Sequence, residues 1–197
     1  MMHILYEPFP DTVTADGQEF EILTDFREWL RFAEMISDTA LDESVRVSMM
    51  GLWLTPEPER ITQAIRDAVF AFFRADALRL EKQQPENEDR DETESDTVRP
   101  PVFDWKIDAK FLLGDFRRYY GIDLLNTAYL HWWEFRALTE ALPDDSQCMK
   151  RIAYRSANLS EIKDKHERKR IAKIQRQIAL PFTYTDEMIG AALWSMK

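Results

Sequence analysis

The sequence predicts a mainly α-helical, multi-helix bundle-like fold with a small β-hairpin near the N-terminus. Apolar residues recur at helical spacing along most of the chain, and one strong hairpin signal occurs near its start. Only five of the 197 residues are glycine, which disfavours a large sheet with many tight turns. Twelve Phe, six Tyr and six Trp supply the apolar volume for a core.

The hairpin is predicted in the stretch "TVTADGQEFEI", residues 12–22. Asp16 and Gly17 form a favoured two-residue turn, because both central positions of such a turn need positive φ. The flanking residues alternate as in strands. A hairpin this short must pack on something else to be stable.

Three helices should follow the hairpin. Asp25 and Glu28 form a capping box for the first, and the second should begin at Asp42. The third should begin at Thr55, with Pro56 in its first turn. The apolar faces of the three helices comprise, in order, Phe26, Trp29, Leu30, Ala33 and Ile36; Val45, Met49, Leu52 and Trp53; and Ile61, Ile65, Ala68, Phe72 and Leu80.

Charge divides the chain into three parts. Residues 1–80 carry a net charge of −8, residues 81–101 carry −5 and residues 102–197 carry +3. The middle stretch contains almost nothing to bury, which is typical of an acidic flexible linker. We therefore expect an N-terminal lobe of hairpin and helices and a C-terminal helical lobe, packed together as one domain.

The C-terminal lobe should contain five helices. The first begins at Asp104, has either Ile107 or Asp108 on its inner face, and ends before Gly121. The second spans about 123–142 and is stopped by Pro143. Asp144 or Asp145 should cap a short third helix, and a basic helix covers about 161–179. The inner residues of the first helix are Phe111, Leu112, Phe116 and Tyr119, those of the third are Cys148, Met149 and Ile152, and those of a last helix over 186–196 are Ile189, Ala192, Leu193 and Met196.

The run "YLHWWEFRAL", residues 129–138, is the most unusual segment. A helix that is apolar nearly all round usually lies at the centre of a fold. We therefore interpret the run first as core, second as a partner-binding surface, and third as a site with a catalytic histidine, His131. The structural core motif consists of Leu130, Trp132, Trp133, Phe135 and Leu138.

Catalytic and cofactor motifs are not apparent. The three histidines lack metal-ligand spacing, and the chain has no P-loop, dinucleotide fingerprint or nucleophile elbow. Asp104, Asp108 and Asp115 could line one helix side, but no partner groups for metal or acid–base chemistry accompany them. The single cysteine, Cys148, excludes an internal disulfide and is interpreted as a buried thiol. We predict a non-enzymatic, cytosolic protein with no metal, cofactor or membrane span.

The basic helix is the second conspicuous segment. Arg168, Lys169, Lys173 and Arg176 lie largely off its stripe of isoleucines at 171, 174 and 178. We interpret the helix first as amphipathic with a solvated basic face, second as a surface that docks on an acidic protein surface of this chain or another copy, and third as a phosphate-binding surface. These four cations are the candidate partner-binding residues. Nucleic acid is disfavoured, because the chain carries −10 overall and no aromatic residues are interleaved with these cations.

Several segments resemble one family of small phage proteins. They are "DTVTADGQEFEILTDFREWLRF" at 11–32, "YGIDL" at 120–124, "YLHWWEFRAL" at 129–138, "RIAYRS" at 151–156 and "KHERKRIAKIQRQIALP" at 165–181. Together they resemble the bacteriophage gene product fifteen family of tailed phages and prophages of Gram-positive bacteria. The resemblance covers nearly the whole chain.

The resemblance implies a function through gene position. Genes of this family typically lie between those for the tail tube and tape-measure proteins, the usual place of tail assembly chaperones. It therefore implies a non-enzymatic factor in the host cytoplasm that acts as several copies and binds the tape-measure protein, with the tube protein as a second expected partner. It supplies no set of functional residues. The rival interpretations are a minor tail or connector protein of the virion and a nucleic-acid-binding protein that uses the basic helix.

Overall fold

The computed structural model describes residues 6–78 and 101–181. In these residues seven α-helices accompany a three-stranded antiparallel sheet in the order β1-β2-β3, which confirms the mainly α-helical prediction. No helix in this part of the chain has the length and apolar character of a membrane span. The elements are β1 (Thr12–Ala15), β2 (Gln18–Ile22), α1 (Phe26–Ser37), α2 (Glu43–Met49), a 3-10 turn (Met50–Trp53), β3 (Leu54–Thr55), α3 (Gln63–Arg74), a 3-10 turn (Asp76–Leu78), α4 (Ala109–Asp115), a π-helical turn (Phe116–Tyr120), α5 (Trp132–Glu140), α6 (Gln147–Ser156) and α7 (Lys165–Ile178).

The predicted hairpin is confirmed as strands β1 and β2. Asp16 and Gly17 have φ values of 52° and 77°, the positive angles that the turn requires. The third strand, β3, was not predicted. It pairs Leu54 with Ile22 and so extends the sheet on the far side of β2.

Helix α1 begins where the sequence predicts. The Asp25 carboxylate accepts a 2.9 Å hydrogen bond from the Arg27 backbone N–H and caps the helix. Glu28 pairs with Arg31 instead of completing the predicted capping box. The inner face buries Phe26, Trp29, Ala33 and Ile36, and Leu30 is half-buried.

The predicted faces of the next two helices need correction. Val45 and Leu52 are exposed, because α2 ends at Met49 and the following 3-10 turn points Met50 and Trp53 inward. The third helix does not begin at Thr55, whose backbone pairs with β2. It begins at Gln63, capped by Thr62, whose hydroxyl accepts from the Ile65 N–H at 3.2 Å. Ile65 and Phe72 are buried and Ile61 and Ala68 partly so, whereas Leu80 lies outside the described residues.

The first helix of the C-terminal half also begins later than predicted. Asp104 accepts from the backbone of Lys106 and Ile107 in a separate turn, and α4 follows only at Ala109. Of the two residues considered for the inner face, Asp108 is buried and Ile107 is exposed. The predicted end at Gly121 is confirmed by its left-handed φ of 68°.

The predicted helix over 123–142 is only half correct. Helix α5 begins at Trp132, because His131 is extended and forms an antiparallel bridge with Asp25 at the start of α1. The Trp132 N–H donates to the Thr24 carbonyl at 2.7 Å, and the Phe26 N–H donates to the Leu130 carbonyl at 3.0 Å. Asp123 bonds locally to Leu125 and Asn126 and favours a turn instead of a helix.

The last two described helices follow the prediction more closely. Ser146, not Asp144 or Asp145, caps α6, and its hydroxyl accepts from the Met149 N–H at 3.2 Å. Helix α7 falls within the predicted basic segment and is capped by Asp164. The acidic stretch 81–100 and the predicted helix over 186–196 lie outside the described residues.

One hydrophobic core receives side chains from both described ranges. Trp29 of α1 lies at its centre, with no exposed surface. Its ring stacks on Phe72 and Phe73 of α3 at 5.0 and 5.9 Å and on Trp132 of α5 at 6.3 Å between centroids. This aromatic packing joins α1, α3 and α5 in the core.

Candidate functional site

The tryptophan pair lies in the core. Leu130, Trp132, Trp133 and Phe135 are buried, and Leu138 is half-buried. The Trp132 indole N–H donates to the Phe73 carbonyl and the Trp133 indole N–H to the Phe72 carbonyl, each at 2.8 Å. These carbonyls lie in the last turn of α3, where carbonyls lack partners within the helix. The two indoles therefore satisfy a buried helix end as well as filling the core.

His131 is a structural histidine. Its Nδ1 accepts from the Trp133 N–H at 3.0 Å and caps α5, and its Nε2 donates to the Pro10 carbonyl at 3.1 Å. These two bonds require the neutral ring with the proton on Nε2. Burial lowers the pKa of His131 and favours the same form. Both ring nitrogens are engaged, so the histidine has no open position for proton transfer to a substrate.

Asp108 and Asp115, which were considered for metal or acid–base chemistry, are each engaged in a separate structural contact. Asp108 binds the buried Arg155 guanidinium at 2.6 and 3.0 Å. Asp115 accepts from the Gln147 and Cys148 N–H groups at the start of α6, at 3.1 and 2.8 Å. Among the residues described, no group of three or more His, Cys, Asp or Glu is arranged to hold a metal ion. These carboxylates hold α4 against α6.

Cys148 lies beside this contact and is almost completely buried. Burial raises the pKa of its thiol, and the nearby Asp115 carboxylate raises it further. The nucleophilic form of cysteine is the thiolate, which this environment disfavours. The position is that of an inert core thiol.

The predicted partner-binding cations all lie on the surface of α7. Arg168, Lys169, Lys173 and Arg176 are exposed, and within the described structure none forms an ion pair. We call these four residues the basic stripe. The neighbouring Arg170 instead bonds Glu167 at 2.6 Å, which lowers the pKa of that carboxyl. The basic stripe therefore has its cationic groups available to a partner.

Within residues 6–78 and 101–181, helix α7 is attached to the fold mainly through α6. None of its residues is fully buried, and its isoleucines are half-buried. The Gln175 side chain donates to the Tyr154 and Ala157 carbonyls of the α6 end at 2.9 and 2.8 Å, and Arg155 donates to the Ile178 carbonyl at 2.8 Å. These bonds fix α7 on α6 with its cations outward.

A groove opens between the hairpin and the start of α3. Its volume is about 430 Å³. Three acids lie along it, Asp16, Glu57 and Glu59, together with one cation, Arg60. Its apolar lining consists of Ala15, Phe20, Pro58 and Ile65. We call this feature the acidic groove.

A third surface is apolar. Leu23, Leu52, Leu125 and Tyr129 are large apolar residues with exposed side chains, Leu125 at 70% and Leu52 at 57%. Their chain segments are adjacent, because the Leu23 N–H donates to the Trp53 carbonyl at 3.0 Å and the Thr24 and Tyr129 hydroxyls lie 2.8 Å apart. We call these four residues the apolar edge.

The apolar edge and the acidic groove were not predicted from the sequence. Leu52 was expected on an inner helix face, and Leu125 and Tyr129 fall in the predicted helix over 123–142, where they were not predicted to be exposed. Leu23 lies between the predicted hairpin and the first helix. The groove is assembled from residues more than forty positions apart. The only local signal was the excess of acidic residues in the first 80 positions.

Comparison with known proteins identifies a family. No curated protein and no solved structure matches the chain. A family model described as bacteriophage Gp15 protein matches residues 5–180, which is most of the chain. The chain therefore belongs to the bacteriophage Gp15 protein family, a membership that suggests a phage structural or morphogenesis protein.

Proposed function

We propose that this protein is a non-enzymatic tail assembly factor that binds the tape-measure protein in the cytoplasm of the bacterial host, with the tail tube protein as a second partner. The observation that carries the proposal is the apolar edge. Leu23, Leu52, Leu125 and Tyr129 are all more than 40% exposed and lie on adjacent chain segments. Clustered apolar surface of this kind marks an interaction site.

The chemistry of the edge suits a helical partner. An amphipathic helix presents apolar side chains at i, i+3, i+4 and i+7. When an apolar surface covers them, the side chains of the helix and the surface itself are both removed from water. Each leucine that becomes fully buried contributes roughly 1.5–3 kcal/mol. The net charge of −10 would keep such a complex dispersed.

The buried polar groups support binding instead of catalysis. His131, Asp108, Asp115 and Cys148 are the groups that could have carried chemistry, and each is held in a structural contact. Catalysis needs a titratable group within reach of a substrate in a cleft. The acidic groove is instead lined by exposed acids that show no such arrangement.

The test is co-expression with the tape-measure protein of the same phage, followed by affinity purification of this chain. The variant Leu52→Glu/Leu125→Glu places two charges on the apolar edge at exposed positions, where the fold tolerates them. The matched control is Val45→Glu/Ile107→Glu, which places two charges at exposed apolar positions outside the edge. Circular dichroism of both variants verifies folding.

We expect soluble tape-measure protein to co-purify with the wild type and the control, and to be lost with the edge variant. If the tape-measure protein is not retained and mass spectrometry finds the chain in purified virions, the protein is a minor tail or connector component. If the edge variant retains the tape-measure protein as the control does, the apolar edge is not the binding surface. Binding of duplex DNA that falls steeply with salt would instead favour the nucleic-acid interpretation of the basic stripe.

A further inference from the structure

We propose that copies of this chain associate head to tail, with the basic stripe of α7 in one copy bound in the acidic groove of the next. The inference does not depend on the tape-measure protein. It rests on two exposed surfaces of opposite charge that are formed by different elements of one fold. The occupant of the groove is therefore a second copy of this chain.

The helix supplies a row of cations. Lys169, Lys173 and Arg176 follow i, i+4 and i+7 spacing, so they align along one face of α7. All three are exposed, and Gln175 and Arg155 hold the helix against α6 from the other side. The row is therefore presented to solvent on a fixed support and not on a mobile chain end.

The groove supplies the complementary surface. Glu57 and Glu59 are exposed, and among the described residues neither carboxylate has an ion-pair partner. Asp16 accepts a 2.6 Å hydrogen bond from Thr62, which fixes one carboxylate at the rim. Phe20 and Ile65 provide an apolar floor. Long Lys and Arg side chains can place their methylene stems on such a floor while their charged ends reach the carboxylates.

Within the described structure, the basic stripe of one copy is not positioned to bind the acidic groove of the same copy. The groove lies between β1, β2 and the start of α3, whereas α7 is attached to α6, which packs on α4. Two different surfaces in contact make a heterologous interface, which repeats until the copies close into a ring or extend as a filament. An interface of exposed charges also weakens as salt rises.

Nucleic acid is the competing occupant for the basic stripe. The overall charge of −10 repels a polyanion. Helix α7 also has no Phe, Tyr or Trp on which bases could stack. The acidic groove, by contrast, matches the stripe in sign. These observations favour a second copy of the chain.

Sedimentation of the full chain over a concentration series is the test, at low salt of about 50 mM and at high salt of about 500 mM. We expect a mass that rises with concentration above the 23.3 kDa of one copy at low salt and returns toward it at high salt. Lys169→Glu/Lys173→Glu/Arg176→Glu reverses the stripe, and Glu57→Lys/Glu59→Lys reverses the groove rim. Lys150→Glu/Lys163→Glu is the control at exposed cations outside α7.

Each reversed variant alone should remain a single copy, while the control associates like the wild type. An equimolar mixture of the two reversed variants should associate again, because the acidic helix of one then meets the basic groove of the other. This recovery distinguishes a specific interface from misfolding, which mixing does not repair. The proposal would be overturned by a wild type that is a single copy at every concentration, or by a mixture of the two reversed variants that stays dissociated. It would also be overturned if the wild type is a single copy and binds duplex DNA, and if reversal of the stripe abolishes that DNA binding.

Discussion

The Trp133 indole N–H donates a 2.8 Å hydrogen bond to the carbonyl of Phe72, a residue 61 positions earlier in the chain. Trp132 makes the same bond to Phe73. Because the carbonyls at a helix C-terminus lack partners within the helix, a buried helix end needs donors from elsewhere. The run "YLHWWEFRAL" supplies them and joins the two described ranges of the fold.

This relationship predicts a graded loss of stability at Trp133. Trp133→Ala should lower the free energy of unfolding by about 3–5 kcal/mol, because it removes a large buried ring. Trp133→Phe should cost less, about 0.5–1.5 kcal/mol for the lost hydrogen bond, because it keeps most of the apolar volume and the Phe72 carbonyl still accepts from the Ala75 N–H at 3.0 Å. Urea denaturation followed by circular dichroism measures both. Tyr129→Phe is the control, because it removes an exposed hydrogen bond, and an unchanged midpoint for Trp133→Ala would place the ring outside the core.

The Asp108–Arg155 contact gives a second prediction. Both side chains are at least 95% buried, and the carboxylate binds the guanidinium at 2.6 and 3.0 Å. Asp108→Asn should cost about 3–5 kcal/mol, because it leaves a buried guanidinium without its counter-charge. The exposed Glu34–Lys106 pair at 3.5 Å is the matched control, and Glu34→Gln should cost at most about 1 kcal/mol. Equal losses at the two sites in thermal or urea unfolding would contradict this account.

The sequence pattern correctly predicted the features of secondary structure that depend on neighbouring residues. The turn at Asp16–Gly17, the cap at Asp25 and the stop at Gly121 depend on residues within a few positions, and the structure has them where the sequence places them. The late starts of α3 and α5 have a distant cause. Thr55 pairs with Glu21 and His131 with Asp25, and these backbone contacts prevent helix at positions with a helical pattern.

The candidate surfaces also differ in whether local sequence or distant contacts create them. The basic stripe could be predicted, because its cations repeat with the period of one helix that the structure confirms. The acidic groove could not, because Asp16 and Glu59 become neighbours only when the hairpin packs on α3. The apolar edge was missed because Leu52 follows a helical pattern in the sequence, while the 3-10 turn points it outward.

Cys148 provides a third prediction. Its thiol is buried and its pKa is raised by that burial, so the native protein should react very slowly with a disulfide reagent at about pH 8. The reaction should reach the rate of an unstructured thiol only in denaturant, in parallel with the loss of helical signal. Asp108→Asn should increase the native rate, because it loosens the contact between α4 and α6 that covers the thiol. Rapid labelling of the folded wild type would show that Cys148 is accessible.

His131 predicts a specific dependence of stability on pH. An ordinary histidine has a pKa of 6.5, and burial lowers the pKa of His131 in the folded chain although Pro10 and Asp11 oppose the shift. As the pH falls below 6.5, the unfolded chain therefore binds a proton at this position before the folded chain does, and stability falls by up to about 1.4 kcal/mol per pH unit. The loss from this residue stops once the pH passes the lowered folded pKa, below which both states are protonated.

The measurement for His131 compares urea midpoints across that pH range for three proteins. His131→Asn keeps a side chain that can cap α5 but does not titrate, so its stability should change less with pH than that of the wild type. His166→Gln removes an exposed histidine of α7 and should retain the wild-type dependence. All carboxylates are common to the three proteins. The difference between the stability curves of wild type and His131→Asn therefore isolates the contribution of His131. Parallel curves for wild type and His131→Asn would mean that the histidine titrates equally in the folded and unfolded chains, contrary to its burial beneath Phe9 and Pro10.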